Sequence, residues 1–473
     1  MSVIETETAG GDVAASGKQA GKAARKVAPR SEQANWEPGP DRVGPLEILS
    51  EQDATRVPEL VPVRYGRMLA SAFTFYRGAA AIMANDLAAS PDSGLRVQLC
   101  GDAHLSNFGV FQAPDRRLVF DINDFDETLP GPFEWDVKRL VASVAIAARD
   151  RGFDAATEEA VALAGVASYR GAMAQFAAMK EIDVWYARLD MQEFGEKWGS
   201  RISKAARRRA DKNLAKARGK DSLRALAKLT ERRDGKVRIA SRPPLLVPIG
   251  ELAEREGMEP KAVDAMIHGL LRQYGETLGE EAHMLIDRYS YVDAAHKVVG
   301  VGSVGTRAWI ALLFGRDETD PLFLQIKEAG ASVLEPFAGA SRFEHHGQRV
   351  VAGQRLTQAA GDGLLGWITA KGIDGKSRDF YVRQLWDGKG SAEVELMSAD
   401  TMVGYAQLCG WTLARAHART GDRRAIDAYL GKGDRFDRAI AEFSRAYADQ
   451  NDADYAVLME AQRSGDLKVE TGL

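Results

Sequence analysis

The chain has two cysteines in 473 residues, Cys100 and Cys409, and neither belongs to a CxxC pair or to a Cys/His group of zinc spacing. A disulfide framework and a zinc module are therefore excluded as the basis of the fold, and a reducing compartment is expected. No apolar run is long enough to cross a bilayer, and the first residues lack the hydrophobic segment of a secretory signal, so the expected location is the cytoplasm and no membrane partner is expected. Nor is there a large excess of either charge. With 63 Lys and Arg against 67 Asp and Glu, the net charge of −4 argues against a dedicated nucleic-acid binder. What is present is ordinary for a folded protein: 45% hydrophobic and 27% charged residues, enough for a large core divided over two or three packed units.

Along the chain, residues 1–40 are rich in Ala, Gly, Lys and Glu and poor in large apolar side chains, which predicts a disordered tail. Residues 41–290 read as mostly helical, interrupted by two short apolar strands, VQLCG (97–101) and RLVFDI (117–122), and by a strongly basic stretch over about 198–235. Arg64, Arg67 and Arg77 punctuate an aromatic helical segment, where they either meet an anionic substrate or pair with carboxylates and solvent. Residues 291–390 switch to short β-type runs separated by Gly or charged turns, which predicts a small antiparallel sheet; residues 391–473 return to helix.

Two constellations carry chemistry. The first is Gly101-Asp-Ala-His-Leu-Ser-Asn-Phe-Gly109, followed by Asp121-Ile-Asn-Asp124-Phe-Asp126-Glu127 at the end of an apolar strand. Phosphoryl transfer requires one carboxylate to orient the attacking hydroxyl, and an amide oxygen and a further carboxylate to hold magnesium. Asp102, Asn107 and Asp121 are placed for these three jobs in turn. A metal-dependent hydrolase built on Asp102, His104, Asp121 and Asp124 is the competing chemistry.

The second constellation is Gly300-Val-Gly302-Ser-Val-Gly305-Thr, with β-type sequence on both sides, as expected of a glycine loop between antiparallel strands rather than one that opens a helix. Two strands on, Leu-Gln-Ile-Lys327-Glu-Ala places a lysine where a kinase-type loop needs one for the α- and β-phosphates of a nucleotide.

The first run resembles the His-Gly-Asp-x-His-x-x-Asn loop of aminoglycoside phosphotransferases and choline-kinase-like enzymes, with Cys100 in the position of the first His. The resemblance implies ATP and Mg2+ as cofactors, Asp102 as the catalytic carboxylate, Asn107 with Asp121 or Asp124 as metal ligands, and Asp136 as a residue that steadies the catalytic loop. It gives His104 a packing role. By the same analogy, Gly300, Gly302, Gly305 and Lys327 hold phosphate, Glu335, favoured over Glu344, pairs with the lysine, and Gln384 and Leu385 meet the adenine. The implied fold is α+β, a two-lobed protein-kinase-like architecture in circularly permuted order, because the catalytic loop precedes the glycine loop. Val63–Met68, Phe75–Gly78, Gly101–His104, Phe120–Glu127, Lys327–Ala329, Gly347–Val351 and Ala414–Ala418 also resemble an uncharacterised bacterial family, domain of unknown function 2252. The expected activity is ATP-dependent phosphoryl transfer to an unidentified small-molecule or protein acceptor. Adenylyl transfer and binding of nucleotide without catalysis are the alternatives.

Overall fold

A computed structural model describes residues 9–193, 208, 212, 214–219, 221–298, 300–372, 375–385 and 388–472. Of the basic stretch assigned from sequence to 198–235, residues 198–207, 209–211, 213 and 220 lie outside the described residues. The helices include α1 (Ala9–Val27), α2 (Ala72–Gly78), α3 (Phe133–Asp150), α4 (Ala155–Ala178), α5 (Pro260–Glu276), α6 (His346–Thr357), α7 (Ala399–Thr420), α8 (Arg423–Leu430) and α9 (Arg435–Ser464). The strands include β1 (Arg96–Leu99), β2 (Phe108–Gln112), β3 (Leu118–Ile122), β4 (Leu129–Pro132), β5 (Leu246–Pro248), β6 (Ser290–Lys297), β7 (Ala308–Phe314), β8 (Pro321–Ala329), β9 (Gly366–Lys371) and β10 (Ser377–Gln384). The architecture is mixed α+β, and its sheets are antiparallel.

Helix α3 is buried on every side from Phe133 to Ala148; the near-continuous Ala, Val, Leu and Ile content from Leu140 onward requires this, while its first two turns bury Glu134, Asp136, Lys138 and Arg139. Around it α4, α7 and α9 build the main core, which also takes in β1, β3 and the Val350–Val351 face of α6. The hairpin of β2 and β3, and the pair of β1 and β4, lie against this body and carry the Asp102 and Asp121–Glu127 segments between them.

The second unit is a six-stranded sheet in the order β9-β10-β8-β7-β6-β5. Its central strand β8 is buried on both faces, which is why it reads as an almost unbroken apolar run. Leu322 and Leu324 pack toward α5, while Phe323 packs on the opposite face with Ala225, Leu229, Val237 and Ile239. Alternation puts Gln325 and Lys327 on that same opposite face, beside Arg383 and Tyr381 of β10 in the strand register.

Two expectations about organisation are corrected. Residues from about 222 to 290 pack on the six-stranded sheet rather than with the helical body, because β5 extends that sheet and α5 supplies the apolar cover for one face. The disordered tail does not extend over residues 9–40. Helix α1 lies along α8 so closely that a Cβ on Gly21 would come within 2.2 Å of the Ala425 carbonyl. Arg25 Nε and Arg30 Nη1 donate to the Tyr429 and Leu430 carbonyls at 2.9 and 2.6 Å, satisfying groups at the C-terminus of α8. Small residues that look like a lack of core are here the means of close helix contact. Among the described residues no helix is long and apolar enough to cross a membrane.

Candidate functional site

The Asp102 loop begins with a glycine that nothing else could replace: Gly101 has φ of 84°, and a Cβ there would lie 2.2 Å from the Glu127 carbonyl. Its backbone is held from below by Asp136 at the start of α3, whose carboxylate accepts from the Cys100 and Gly101 N–H groups at 2.8 and 3.1 Å. This is the steadying role read from the sequence. Asp136 in turn lies 3.2 Å from His417 Nε2, and the other ring nitrogen of His417 is 2.8 Å from the Tyr169 hydroxyl, so α7 and α4 brace the same loop.

Asp102 itself accepts from Arg139 Nε at 2.8 Å, and the Arg139 guanidinium lies 3.8 Å from the Tyr76 ring centroid. His104 is buried beside it, with Nε2 3.6 Å from Asp102 Oδ2 and Nδ1 without a hydrogen-bond partner. Burial pushes the His104 imidazole down to about 4, with Arg77 and Arg139 adding to that and Asp102 opposing it. At neutral pH the ring is uncharged and packs the loop. Asn107 ends the single helical turn that follows, and its Nδ2 donates to the Asp102 carbonyl at 2.6 Å, leaving the amide oxygen for another partner.

The acidic cluster divides into two environments. Asp121, inside β3, is 3% exposed and closed by a buried ion pair with Arg415 of α7, so the expectation that Asp121 holds a metal is corrected. Asp124 and Asp126 lie past the end of β3, with side chains 30% and 29% exposed, and both face Lys327. The Lys327 ammonium donates to Asp126 Oδ2 at 2.6 Å and lies 3.4 Å from both Asp124 oxygens, while the Tyr381 hydroxyl donates to Asp126 Oδ1 at 2.7 Å. Burial alone would raise the Asp124 carboxyl, but the charges of Lys327, Arg383 and Lys389 outweigh it and hold the group well below the usual carboxylate range. Burial would likewise deprotonate Lys327, yet Asp124 and Asp126 keep it firmly charged.

Glu335 does not pair with Lys327. Its carboxylate accepts from the Ser332 N–H at 3.0 Å and lies 4.0 Å from Arg349 Nε, because it sits on a short helical turn that caps its own loop. The backbone groups expected to meet an adenine are also engaged. The Gln384 N–H donates to Asp362 at 2.6 Å and the Leu385 N–H to the Phe323 carbonyl at 2.8 Å.

The glycine loop joins β6 to β7, as its flanking sequence predicts, with positive φ at Gly300 and Gly305. It rests on the segment 56–78. Arg67 Nη1 donates to the Gly300 carbonyl at 2.6 Å, the Val57 N–H to the Gly305 carbonyl at 2.8 Å, and Arg56 to the Val304 carbonyl. Thus Lys327 joins the acidic loop, and the glycine loop lies against the helix whose Tyr76 is tied to Asp102 through Arg139.

Sequence reasoning missed Asp126, Arg139, Arg383 and Lys389. For Asp126 a signal existed, since it follows the end of the apolar strand whereas Asp121 lies within it. Nothing local marks the other three. Among the described residues no group of three or more His, Cys, Asp or Glu side chains is arranged to hold a metal ion, so the four-residue hydrolase centre of Asp102, His104, Asp121 and Asp124 does not assemble.

The sequence profile described as an uncharacterized protein conserved in bacteria, DUF2252, matches residues 56–461. The chain belongs to this family. The DUF2252 match takes in Arg56, the Asp102 loop, the glycine loop, Lys327 and His417, and leaves α1 outside it. No curated protein and no solved structure matches the chain.

Proposed function

We propose that this DUF2252 protein transfers a phosphoryl group from ATP, with magnesium, to an acceptor hydroxyl. The observation that carries the reading is the meeting of Lys327, from the sheet, with Asp124 and Asp126, from the loop that follows the β2–β3 hairpin, across 203 and 201 positions of sequence. The element order supports it. Counting from the strand that enters the glycine loop, Lys327 lies on the third strand, β8; α6 follows, and β9 and β10 complete that face, which is the arrangement protein kinases use around their nucleotide. The Asp102 half of the site comes first in the chain, so the order is rotated relative to that of kinases.

The donor set suits the implied groups. Magnesium takes one or two protein oxygens and completes its shell with phosphate and water, and Asp124 with the Asn107 amide oxygen provides that number. When bound, the cation neutralises charge on the phosphates. Lys327 holds phosphate oxygens in place of carboxylates, and Asp102, kept in orientation by Arg139, aligns the acceptor hydroxyl and accepts its proton. The loop itself is kept rigid by Asp136 and His417.

A departure favours a second reading. Helix α6, His-Gly-Gln-Arg-Val-Val-Ala-Gly-Gln-Arg-Leu-Thr, contains no glutamate to pair with Lys327, the pairing kinases use in their active state. A protein that binds nucleotide without transferring phosphate fits that feature. Incubation with ATP labelled separately on the γ-phosphate and on the adenosine distinguishes the outcomes. Label from the γ-position on an acceptor supports phosphoryl transfer, label from the adenosine indicates adenylyl transfer, and retained ATP without turnover indicates binding alone.

A further inference from the structure

Arg77, the penultimate residue of α2, lies between the two loops, and the reading above gives it no role. Its carbonyl oxygen is 3.2 Å from the position of a Cβ on Gly302, so the glycine loop packs directly on it. One residue earlier, the Tyr76 carbonyl accepts from Arg139 Nη2 at 2.8 Å, and Arg139 Nε is the donor to Asp102 at 2.8 Å. A single guanidinium therefore spans the distance from the α2 backbone to the Asp102 carboxylate.

The neighbouring arginines are engaged: Arg64 with Asp53 and Gln52, Arg67 with Gly300, Arg56 with Val304. Arg77 differs. Its Nε is buried without a hydrogen-bond partner, as are those of Arg56 and Arg64, but of the four arginines it is Arg77 whose side chain, among the described residues, makes neither a hydrogen bond nor an ion pair. Burial pushes its pKa down, and the charges of Glu395 and Asp102 oppose this. Asp102 is already held by Arg139, and Glu395 is exposed on the turn Val394–Leu396. A half-buried guanidinium whose Nε is cut off from water and which has no anion beside it is held at a cost, and its planar fork matches the oxygens of phosphate.

We propose that Arg77 is the receptor for a phosphate group held between the glycine loop and Asp102. That phosphate is either the terminal one of the nucleotide, which rests on the phosphoryl-transfer reading, or one carried by the acceptor. Either way the site selects for a phosphate next to the reacting atoms, with the Gly302 backbone on one side and Asp102 on the other.

Calorimetric titration of the full chain and of Arg77→Gln tests this, with Mg–ATP, Mg–ADP, and inorganic phosphate added to protein loaded with a non-hydrolysable ATP analogue. If the nucleotide is the source, Arg77→Gln weakens ATP by about tenfold or more and leaves ADP unchanged, the size expected for one lost charge-assisted contact. If the acceptor is the source, both nucleotides bind as before, while inorganic phosphate binds the loaded wild-type protein and fails on the variant. A folded Arg77→Gln that binds all three ligands as the wild type does overturns the proposal. A wild-type chain that binds phosphate through Arg77 but no nucleotide sinks the phosphoryl-transfer reading and leaves Arg77 in place. Phenylglyoxal labelling of Arg77 in the wild-type protein, read by mass spectrometry, needs no variant. Slowing by ATP or phosphate supports the assignment, and labelling at an unchanged rate in the presence of both overturns it.

Discussion

Lys327 Nζ donates to Asp126 Oδ2 across 2.6 Å, joining the third strand of the glycine-loop sheet to the loop that leaves β3. The lysine is almost fully buried, whereas its carboxylate partners are about a third exposed. This asymmetry fits a site in which the cation is fixed and the anions can be exchanged. Lys327→Met should therefore have two consequences. It should remove any rise in melting temperature produced by Mg–ATP. It should also leave Asp124 without the charge that holds its carboxyl low. A depressed carboxyl contributes stability above its unfolded pKa of about 4 and loses it as pH falls through the folded value. The destabilisation, about 1–3 kcal/mol after discounting for the partial exposure of the carboxylates, should be present at pH 7 and shrink below about pH 4. Denaturant titrations at the two pH values check it, and an equal loss at both would show that packing, not the ion pair, is at stake.

Asp102→Asn keeps the shape and the contact area of the side chain while removing the proton acceptor. Turnover should fall by about a hundredfold or more, with ATP affinity preserved, because general-base contributions are of that size. Wild-type turnover in the variant would remove Asp102 from the chemistry.

Asp136 serves two backbone N–H groups and His417 from a fully buried position. Asp136→Ala leaves all three without their acceptor and should cost about 3 kcal/mol or more of stability. A double-mutant cycle with His417→Phe should show coupling on the order of 1 kcal/mol between the two side chains. Additive losses would mean that His417 merely packs against the loop.

Much of this organisation is legible in the sequence, and the exceptions share a physical origin. The strands β7 to β10 and the glycine loop that precedes β7 follow from apolar runs and turn residues, which are local signals, whereas β6 ends where the run HKVVGV (296–301) suggests a strand would begin. Asp136 is legible through the resemblance to phosphotransferase loops, which implies a carboxylate at the start of the next helix that steadies the loop. By contrast, local sequence cannot show that Arg415, 294 positions away, closes Asp121, or that α1 finds a partner in α8. Glu335 misleads for another reason: the kinase analogy asks for a glutamate after the lysine strand, while the turn that holds Glu335 offers it the Ser332 N–H instead.

Lys389 supplies a pH signature for the same site. Burial pushes its ammonium down to about 7, assisted by Arg383 and Lys327 and opposed by Asp124 and Asp126. Because the folded pKa lies below the unfolded value of about 10.4, the unfolded chain binds more protons between these limits, and stability should rise as pH increases from about 7 to 10. Lys389→Met should flatten that rise. Thermal melts of both proteins across this range measure it, and identical profiles would assign the titration to another group.

The two aspartates three positions apart provide the sharpest discrimination. Asp121 is sealed with Arg415 inside the body, so Asp121→Ala strands a buried guanidinium and should cost about 3–5 kcal/mol, with little change in the magnesium requirement of whatever material remains folded. Asp124 is partly exposed beside Lys327, so Asp124→Asn should alter stability far less. If Asp124 holds the cation, that variant should need at least about tenfold more magnesium to reach half-maximal nucleotide binding, since one charged ligand oxygen has become neutral. The comparison separates two roles that one acidic cluster carries. Should Asp121→Ala remain as stable as the wild type and lose its magnesium response, the assignment would be reversed, and the Arg415 ion pair would have to open for the metal to bind.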